Sequence, residues 1–140
     1  MNSKRSLPDR FAAFAGQFCG LTLEPFQHTI AAEVFSARRE LLVTMPRGNG
    51  KTSLLAALAL FKLLSTRSPE IYACAASRDQ ARLLLDIAKK MIRGSADLER
   101  RITSRYSELR ANGGYLKVIA SDAPLAHGLT PSFVIVDELC

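Results

Sequence analysis

The sequence contains the stretch Leu41-Leu42-Val43-Thr44-Met45-Pro46-Arg47-Gly48-Asn49-Gly50-Lys51-Thr52, which joins a short apolar run to a turn. Residues 41–45 have the length and the branched side chains of a strand buried in a parallel sheet. Pro46 ends that strand, and the two glycines allow a tight loop. From Lys51 to Ser65, leucines and alanines recur at helical spacing. The stretch therefore predicts a strand, a loop and a helix in succession.

Further strands and helices alternate after this unit. Residues 70–76 form a second apolar run. Ser77 and Gln80 then have the spacing of a capping box, which predicts a helix that extends to about Arg93. A shorter helix is expected at 95–101. Alternation of this kind predicts an α/β fold in which helices sandwich a parallel sheet.

A hairpin is predicted inside this alternation. Asn112-Gly113 favours a two-residue turn, and it lies between residues 106–111 and 115–120, which read as strands. Residues 133–136 form another apolar strand, which ends on Asp137-Glu138. We therefore expect a P-loop NTPase-type sheet with an inserted hairpin, and one that is incomplete at the C-terminus.

The N-terminal part divides at about residue 20. Residues 1–20 are expected to form a loosely ordered arm with a short helix around 11–18, and residues 21–140 to form one partial ATPase-type domain. Pro25 suits the first turn of a helix. The spacing of Phe26, Ile30 and Val34 marks the buried face of that helix.

Composition sets limits on the class of protein without naming a partner. The chain has 140 residues, 48% of them hydrophobic, which suits one globular domain. No apolar run reaches the roughly 18 residues of a membrane span. The three cysteines have no metal-binding spacing and are expected to be reduced thiols. A net charge of +6 permits contact with a polyanion but does not require it, because the cations are spread along the chain.

The loop at 46–52 has the chemistry of a phosphate site. Backbone N–H groups around Gly48, Asn49 and Gly50 can turn toward an anion, and the helix N-terminus that follows adds partial positive charge. Lys51 would reach the β- and γ-phosphates, and the Thr52 hydroxyl would bind Mg²⁺. The usual pattern has a glycine where this chain has Met45. A simple glycine-bearing turn is the alternative interpretation.

The acidic pair after the last strand supplies a second half of such a site. Asp137 would hold Mg²⁺ through water, and Glu138 would orient and polarise an attacking water. The alternative is a core strand that ends in two solvated acids. An adjacent Asp-Glu pair favours ATPases that use a catalytic glutamate over GTPases.

Two further side chains could contact a nucleotide. The Gln27 amide can both donate to and accept from the edge of adenine, on which Phe26 could stack. Arg47 lies where its guanidinium could reach the γ-phosphate. The alternatives are an exposed glutamine on a helix and a surface arginine beside a loop, and by itself neither residue decides between them.

Together these features resemble the large terminase subunit of tailed bacteriophages, an ATP-driven motor that packages DNA into capsids. The likeness covers nearly the whole chain and rests on four stretches in a fixed order. They are Leu23-Glu24-Pro25-Phe26-Gln27, Met45-Pro46-Arg47-Gly48-Asn49-Gly50-Lys51-Thr52, Ala75-Ala76-Ser77-Arg78-Asp79-Gln80-Ala81 and Gly128-Leu129-Thr130-Pro131-Ser132-Phe133-Val134-Ile135-Val136-Asp137-Glu138-Leu139.

The resemblance implies a set of roles, with ATP and Mg²⁺ as cofactors. The implied nucleotide-binding residues are Gln27, Pro46, Arg47, Gly48, Asn49, Gly50, Lys51 and Thr52; the implied catalytic residues are Glu138 and Arg47; the implied Mg²⁺ ligands are Thr52 and Asp137. It also implies double-stranded DNA, a portal protein and a small terminase subunit as partners, a homo-oligomeric ring, no membrane, and the cytoplasm of an infected host or a prophage origin.

Two departures from the family pattern affect this reading. Many relatives carry an arginine before the glycine that precedes the acidic strand, whereas this chain has His127 before Gly128. Arg105 and Arg110 are weak substitutes for such an arginine finger. The chain also ends at Cys140, before the further strands and the nuclease domain that the resemblance implies, so the isolated chain is expected to turn ATP over poorly.

Two other functional readings stay open from the sequence. The chain could be a truncated or split-gene remnant that binds nucleotide weakly or not at all. It could also be a fragment of a superfamily 2 helicase, which likewise pairs a glutamine with a Walker loop and Asp-Glu. Such helicases usually keep the glycine that is missing at Met45, and Leu139-Cys140 does not match the pair that often follows their Asp-Glu.

Overall fold

The computed structural model describes residues 6–34, 51–75, 77–120 and 133–137. Its helices are α1 (Leu7–Phe18), α2 (Pro25–Val34), α3 (Lys51–Ser65), α4 (Arg78–Arg93) and α5 (Ala96–Arg101). Its strands are β1 (Glu70–Ala75), β2 (Thr103–Ser104), β3 (Glu108–Ala111), β4 (Gly114–Ala120) and β5 (Phe133–Asp137). The strand predicted at 41–45 lies outside the described residues.

The described strands form one five-stranded sheet in the order β2-β3-β4-β1-β5. Strand β1 is parallel to both of its neighbours, β4 and β5, whereas β2, β3 and β4 are antiparallel to one another. The α/β architecture with a mostly parallel sheet is therefore confirmed. The predicted hairpin also forms, but it is part of the main sheet, because its second strand, β4, is the parallel neighbour of β1.

The core lies between the sheet and helices α3 and α4. Seven consecutive residues of α3, from Leu54 to Leu60, are buried, as expected of a helix that other elements surround. Helix α4 is amphipathic and turns Leu84, Leu85 and Ala88 inward. The sheet contributes alternate residues from one face, as the period of two requires. These are Ile71, Ala73, Leu109, Ala111, Leu116 and Ile135.

Helix α1 is packed into this same core. Phe11 is fully buried, and its ring meets that of Phe61 edge-on at 5.6 Å, while Phe14 lies 5.5 Å from Phe61. The helix begins earlier than the predicted residue 11, because the Ser6 hydroxyl accepts the backbone N–H of Asp9 and caps it. Thus the N-terminal helix is part of the packed structure from Leu7 onward.

The hairpin turn is anchored to the loop that joins α3 to β1. Asn112 (φ 58°) and Gly113 (φ 82°) both have positive φ, as a turn of the predicted type requires. The Asn112 side chain donates to the backbone oxygen of Thr66 at 2.6 Å. A Cβ atom on Gly114 would lie 1.9 Å from the backbone oxygen of Pro69, so only glycine fits there.

The other face of the sheet carries a polar network. The hydroxyls of Tyr72 on β1 and Tyr115 on β4 lie 2.8 Å apart, and the Tyr115 hydroxyl donates to Glu70 at 3.2 Å. The hydrogen bond with Tyr72 raises the pKa of Tyr115. Lys117 lies 4.4 Å from the centre of the Tyr115 ring. This network joins two parallel strands through their side chains as well as their backbones.

Candidate functional site

The N-terminus of α3 is the first part of the candidate site. Lys51 is the first residue of the helix, and Thr52, the second, is half-buried. A helix that begins at this point directs its first backbone N–H groups toward the end of the predicted phosphate loop. The loop residues Pro46, Arg47, Gly48, Asn49 and Gly50 lie outside the described residues, so their predicted roles remain predictions.

The end of β5 is the second part of the candidate site. Asp137 is the last residue of the strand and lies opposite Ala75, the last residue of β1. Ala75 in turn lies opposite Ala120, which ends β4. Three parallel strands therefore end in line, and Asp137 stands at their shared carboxyl edge. Glu138, the predicted water-activating residue, follows immediately and lies outside the described residues.

This edge is the location where open parallel sheets bind ligands. Strand β5 lies beside β1, and α3 packs against both β4 and β5. Helix α4 begins shortly after β1 ends. Its N-terminus is capped by Ser77, whose hydroxyl accepts the backbone N–H of Gln80 at 3.2 Å. The fold thus assembles Asp137 and the start of α4 at one edge of the sheet.

Gln27 has a structural partner that the sequence analysis missed. The residue is 4% exposed, and its side-chain Oε1 accepts the backbone N–H of Glu24 at 2.9 Å. The Gln27 backbone N–H donates to the backbone oxygen of Glu24. Pro25 follows Glu24 at the first helical position, so the Gln27 side chain supplies one half of a capping box, and the return bond runs from backbone to backbone. The spacing of Glu24 and Gln27 around Pro25 was the sequence signal for it.

The cap uses Oε1 of the Gln27 amide and not Nε2. Oε1 has a second lone pair, and the Nε2 donor takes no part in the cap. An adenine contact through Nε2 is therefore compatible with the observed geometry. The side chain of Phe26, the predicted stacking partner, lies outside the part of the chain that can be described.

The suggested substitutes for an arginine finger lie far from Asp137 along the sheet. Arg110 is on β3, which β4 and β1 separate from β5. At about 4.8 Å per strand, the distance across these three spacings is roughly 14 Å. The Arg110 side chain also forms an ion pair with Glu108. Arg105 immediately precedes this hairpin and is exposed. His127 lies outside the described residues.

Mg²⁺ fits the ligand types of the two residues predicted to bind it. Thr52 brings a hydroxyl at the start of α3, and Asp137 brings a carboxylate at the end of β5. Mg²⁺ prefers oxygen ligands and is commonly held by one or two protein groups together with phosphate oxygens and water. Within the described ranges, no group of three or more His, Cys, Asp or Glu side chains could form a metal cluster, and no helix is long and apolar enough to cross a membrane.

Comparisons with known proteins agree with this arrangement. The family described as terminase large subunit, ATPase domain, matches residues 25–140. The crystal structure of the large terminase of bacteriophage HK97 superposes with a TM-score of 0.83 at 25% sequence identity. The match covers 96% of this chain and 31% of that one, so this chain spans less than a third of its length. Curated protein sequences give no match. Since the family match includes the start of α3, the end of β5 and the strands between them, this chain belongs to the family of terminase large-subunit ATPase domains.

Proposed function

We propose that the chain is the ATP-binding portion of a terminase large subunit, the ATPase that drives double-stranded DNA into phage procapsids. One observation carries the proposal. In a chain of this family, β5 ends on Asp137 in line with the ends of β1 and β4. That edge is where a nucleotide would meet both an acidic residue and the N-terminus of α3.

The proposed phosphate site is built on α3. Pro46 would end the preceding strand. The backbone N–H groups of the next residues would then point at the phosphates; these residues are Gly48, Asn49 and Gly50. Lys51 would neutralise the β- and γ-phosphates, and Arg47 would stabilise charge at the γ-phosphate. These residues correspond to a Walker A loop in which arginine is present and the first glycine is replaced by Met45.

The proposed hydrolytic half is built on β5. Asp137 and Thr52 would hold Mg²⁺, which when bound neutralises phosphate charge and orients the phosphate oxygens. Glu138 would take the proton of the attacking water, because it follows the metal-binding aspartate at the edge of the sheet. Gln27 would recognise adenine through Nε2 while Oε1 keeps the cap of α2 in place.

The complete protein would act in an assembly. We expect a homo-oligomeric ring at the portal protein, a small terminase subunit that selects DNA, and duplex DNA as cargo, in the cytoplasm of an infected bacterium or from a prophage. The family match favours this function over a superfamily 2 helicase fragment. A remnant that binds nucleotide without turnover stays a second candidate, and a measurement of turnover distinguishes the two.

The phosphate-loop assignment is tested by binding of a fluorescent ATP analogue. Lys51→Ala should reduce affinity by at least about tenfold, since a charge-assisted contact to phosphate contributes about 1.5–3 kcal/mol. Lys62→Ala, a lysine of the same helix in the part remote from its N-terminus, is the matched control. Unchanged binding in Lys51→Ala would refute the assignment.

Turnover separates the two candidate functions. The isolated chain should hydrolyse ATP slowly, and any activity should be lost in Glu138→Gln while nucleotide binding is retained. Fast steady-state hydrolysis that disappears in Glu138→Gln would overturn the expectation that this chain needs further groups. Nucleotide binding without measurable turnover in the wild-type chain would instead favour the remnant.

A further inference from the structure

Helix α4 carries an excess of positive charge on its outer surface. Its sixteen residues include five basic and two acidic side chains, a net charge of +3, which is half of the +6 of the whole chain. Arg82, Lys89 and Arg93 fall within about 40° of one another around the helix, since 3.6 residues make one turn. We call these three residues the α4 basic stripe. It extends over about 16 Å of helix.

Among the described residues, the cations of the stripe have no carboxylate partner, in contrast to the basic residues of α5 and of the hairpin. Arg100 and Arg101 both pair with Asp97, at 2.6 and 3.4 Å. Arg110 and Lys117 both pair with Glu108. Within the described part of the chain, Arg82, Lys89 and Arg93 form no ion pair. The exposed Asp86 on the same face is one negative charge against three positive ones.

The stripe is also held in position by the connector before the hairpin. The Arg82 guanidinium lies 4.1 Å from the centre of the Tyr106 ring, and Lys89 Nζ donates to the Tyr106 backbone oxygen at 3.2 Å. The Tyr106 side chain is 74% exposed. A cation that stacks on an aromatic ring loses less conformational freedom when it binds an anion. The exposed phenol adds a hydroxyl beside the cations, which is a further donor for phosphate oxygens.

We propose that the α4 basic stripe, together with Tyr106, is a contact surface for the phosphate backbone of duplex DNA. The inference rests on the proposed function, in which duplex DNA is the cargo. Unpaired cations along one helix face suit a partner with a continuous line of negative charge, and such contacts position DNA without reading its sequence. Residues that share a carboxylate, such as Arg100, gain less from the same partner because the carboxylate offsets part of their charge.

The test compares two pairs of variants of the whole chain that remove the same charge. Arg82→Gln/Arg93→Gln removes two cations of the stripe and keeps the Lys89 bond to Tyr106. Arg100→Gln/Arg101→Gln removes two cations that share the carboxylate of Asp97. Affinity for a short duplex is measured by fluorescence anisotropy over a range of salt concentrations. Thermal unfolding of both variants shows that they are folded.

The stripe variant should bind DNA at least about tenfold more weakly at 0.1 M salt, and its slope of log affinity against log salt should fall by about 1.8, which corresponds to two lost phosphate contacts. The control pair should change affinity less than about threefold. Equal losses in both pairs, an unchanged stripe variant, or no DNA binding by the wild-type chain would each overturn the proposal. Binding of the ATP analogue by the same samples distinguishes this failure from failure of the proposed nucleotide site.

Discussion

Gln27 and Glu24 are joined by a 2.9 Å hydrogen bond in which Gln27 Oε1 accepts the backbone N–H of Glu24. The bond satisfies a donor at the N-terminus of α2 that the helix itself leaves unpaired. It also fixes the side chain of the residue predicted to contact adenine. The Gln27 side chain should therefore contribute both to the stability of the fold and to nucleotide binding, and substitutions can separate the two contributions.

We predict that Gln27→Ala lowers the free energy of unfolding by about 1 kcal/mol, because the cap is lost. Gln27→Glu should lower it at least as much, since the carboxylate can accept the same N–H but would be a charge at a site that is only 4% exposed. Both variants lack Nε2 and should bind an ATP analogue more weakly. Chemical denaturation and analogue titration measure the two effects. Wild-type analogue affinity in Gln27→Glu would argue against an adenine contact through Nε2.

A second prediction concerns the crowded turn at Gly114. Gly114→Ala should lower the free energy of unfolding by at least about 3 kcal/mol, because the new Cβ would overlap the Pro69 backbone on the loop before β1. Gly94→Ala is the matched control: its Cβ would lie 3.5 Å from the nearest atom, and its φ is negative. Urea denaturation of both variants measures the difference. Similar stabilities would show that the hairpin can move away from the loop.

A third prediction tests the docking of α1. Phe11→Ala should lower the free energy of unfolding by about 3–5 kcal/mol, since it removes a fully buried ring that contacts Phe61. Leu83→Ala on α4 should change it by less than about 0.5 kcal/mol, because the Leu83 side chain is 53% exposed. If Phe11→Ala were as mild as Leu83→Ala, residues 1–20 would behave as the separate arm that the sequence suggested.

A fourth prediction concerns the thiol of Cys19. Burial raises the pKa of Cys19 to about 11, so the thiolate is scarce at neutral pH. At pH 8, alkylation of Cys19 should be about a hundredfold slower in the folded chain than after unfolding, and it should accelerate as the pH approaches 11. Mass spectrometry of iodoacetamide-treated peptides identifies the modified cysteine.

The same shift has a consequence for stability. The folded state holds the Cys19 proton more tightly than the unfolded state, so its contribution is fully present below pH 9 and is lost as the pH rises toward 11. Cys19→Ser should reduce this part of the alkaline loss of stability. An identical pH profile of stability in Cys19→Ser and the wild type would contradict the assignment.

Local patterns predicted several elements well. Helix α3 was predicted at its observed bounds, because its leucines and alanines have helical spacing and a glycine loop precedes it. Helix α4 was predicted because Ser77 caps it and Gly94 ends it. The turn at Asn112-Gly113 formed because both residues tolerate positive φ. In each case the signal depends on neighbours within a few positions along the chain.

Contacts between distant parts of the chain were harder to predict. Nothing local indicates that β4 pairs with β1, so the sequence predicted the hairpin but not its place within the main sheet. Strand β2 has two exposed polar residues and no apolar pattern. The early start of α1 did have a signal, since Ser6, Pro8 and Asp9 form a standard helix start. The predicted phosphate loop and Glu138 lie within residues 25–140, which the family model matches, and their roles stay predictions until the variants described above are measured.

The register between β5 and β1 fixes the position of Asp137 in the candidate site. Ile135 lies opposite Ala73, and two positions later Asp137 lies opposite Ala75. A shift of one residue would move Asp137 by about 3.3 Å along the strand and reverse the face of every side chain in β5. Substitutions within residues 133–136 that keep the apolar pattern should therefore be tolerated far better than any insertion or deletion there. The length of β5 should therefore matter more than the identity of its apolar side chains, because the length determines whether Asp137 lies at the carboxyl edge of the sheet.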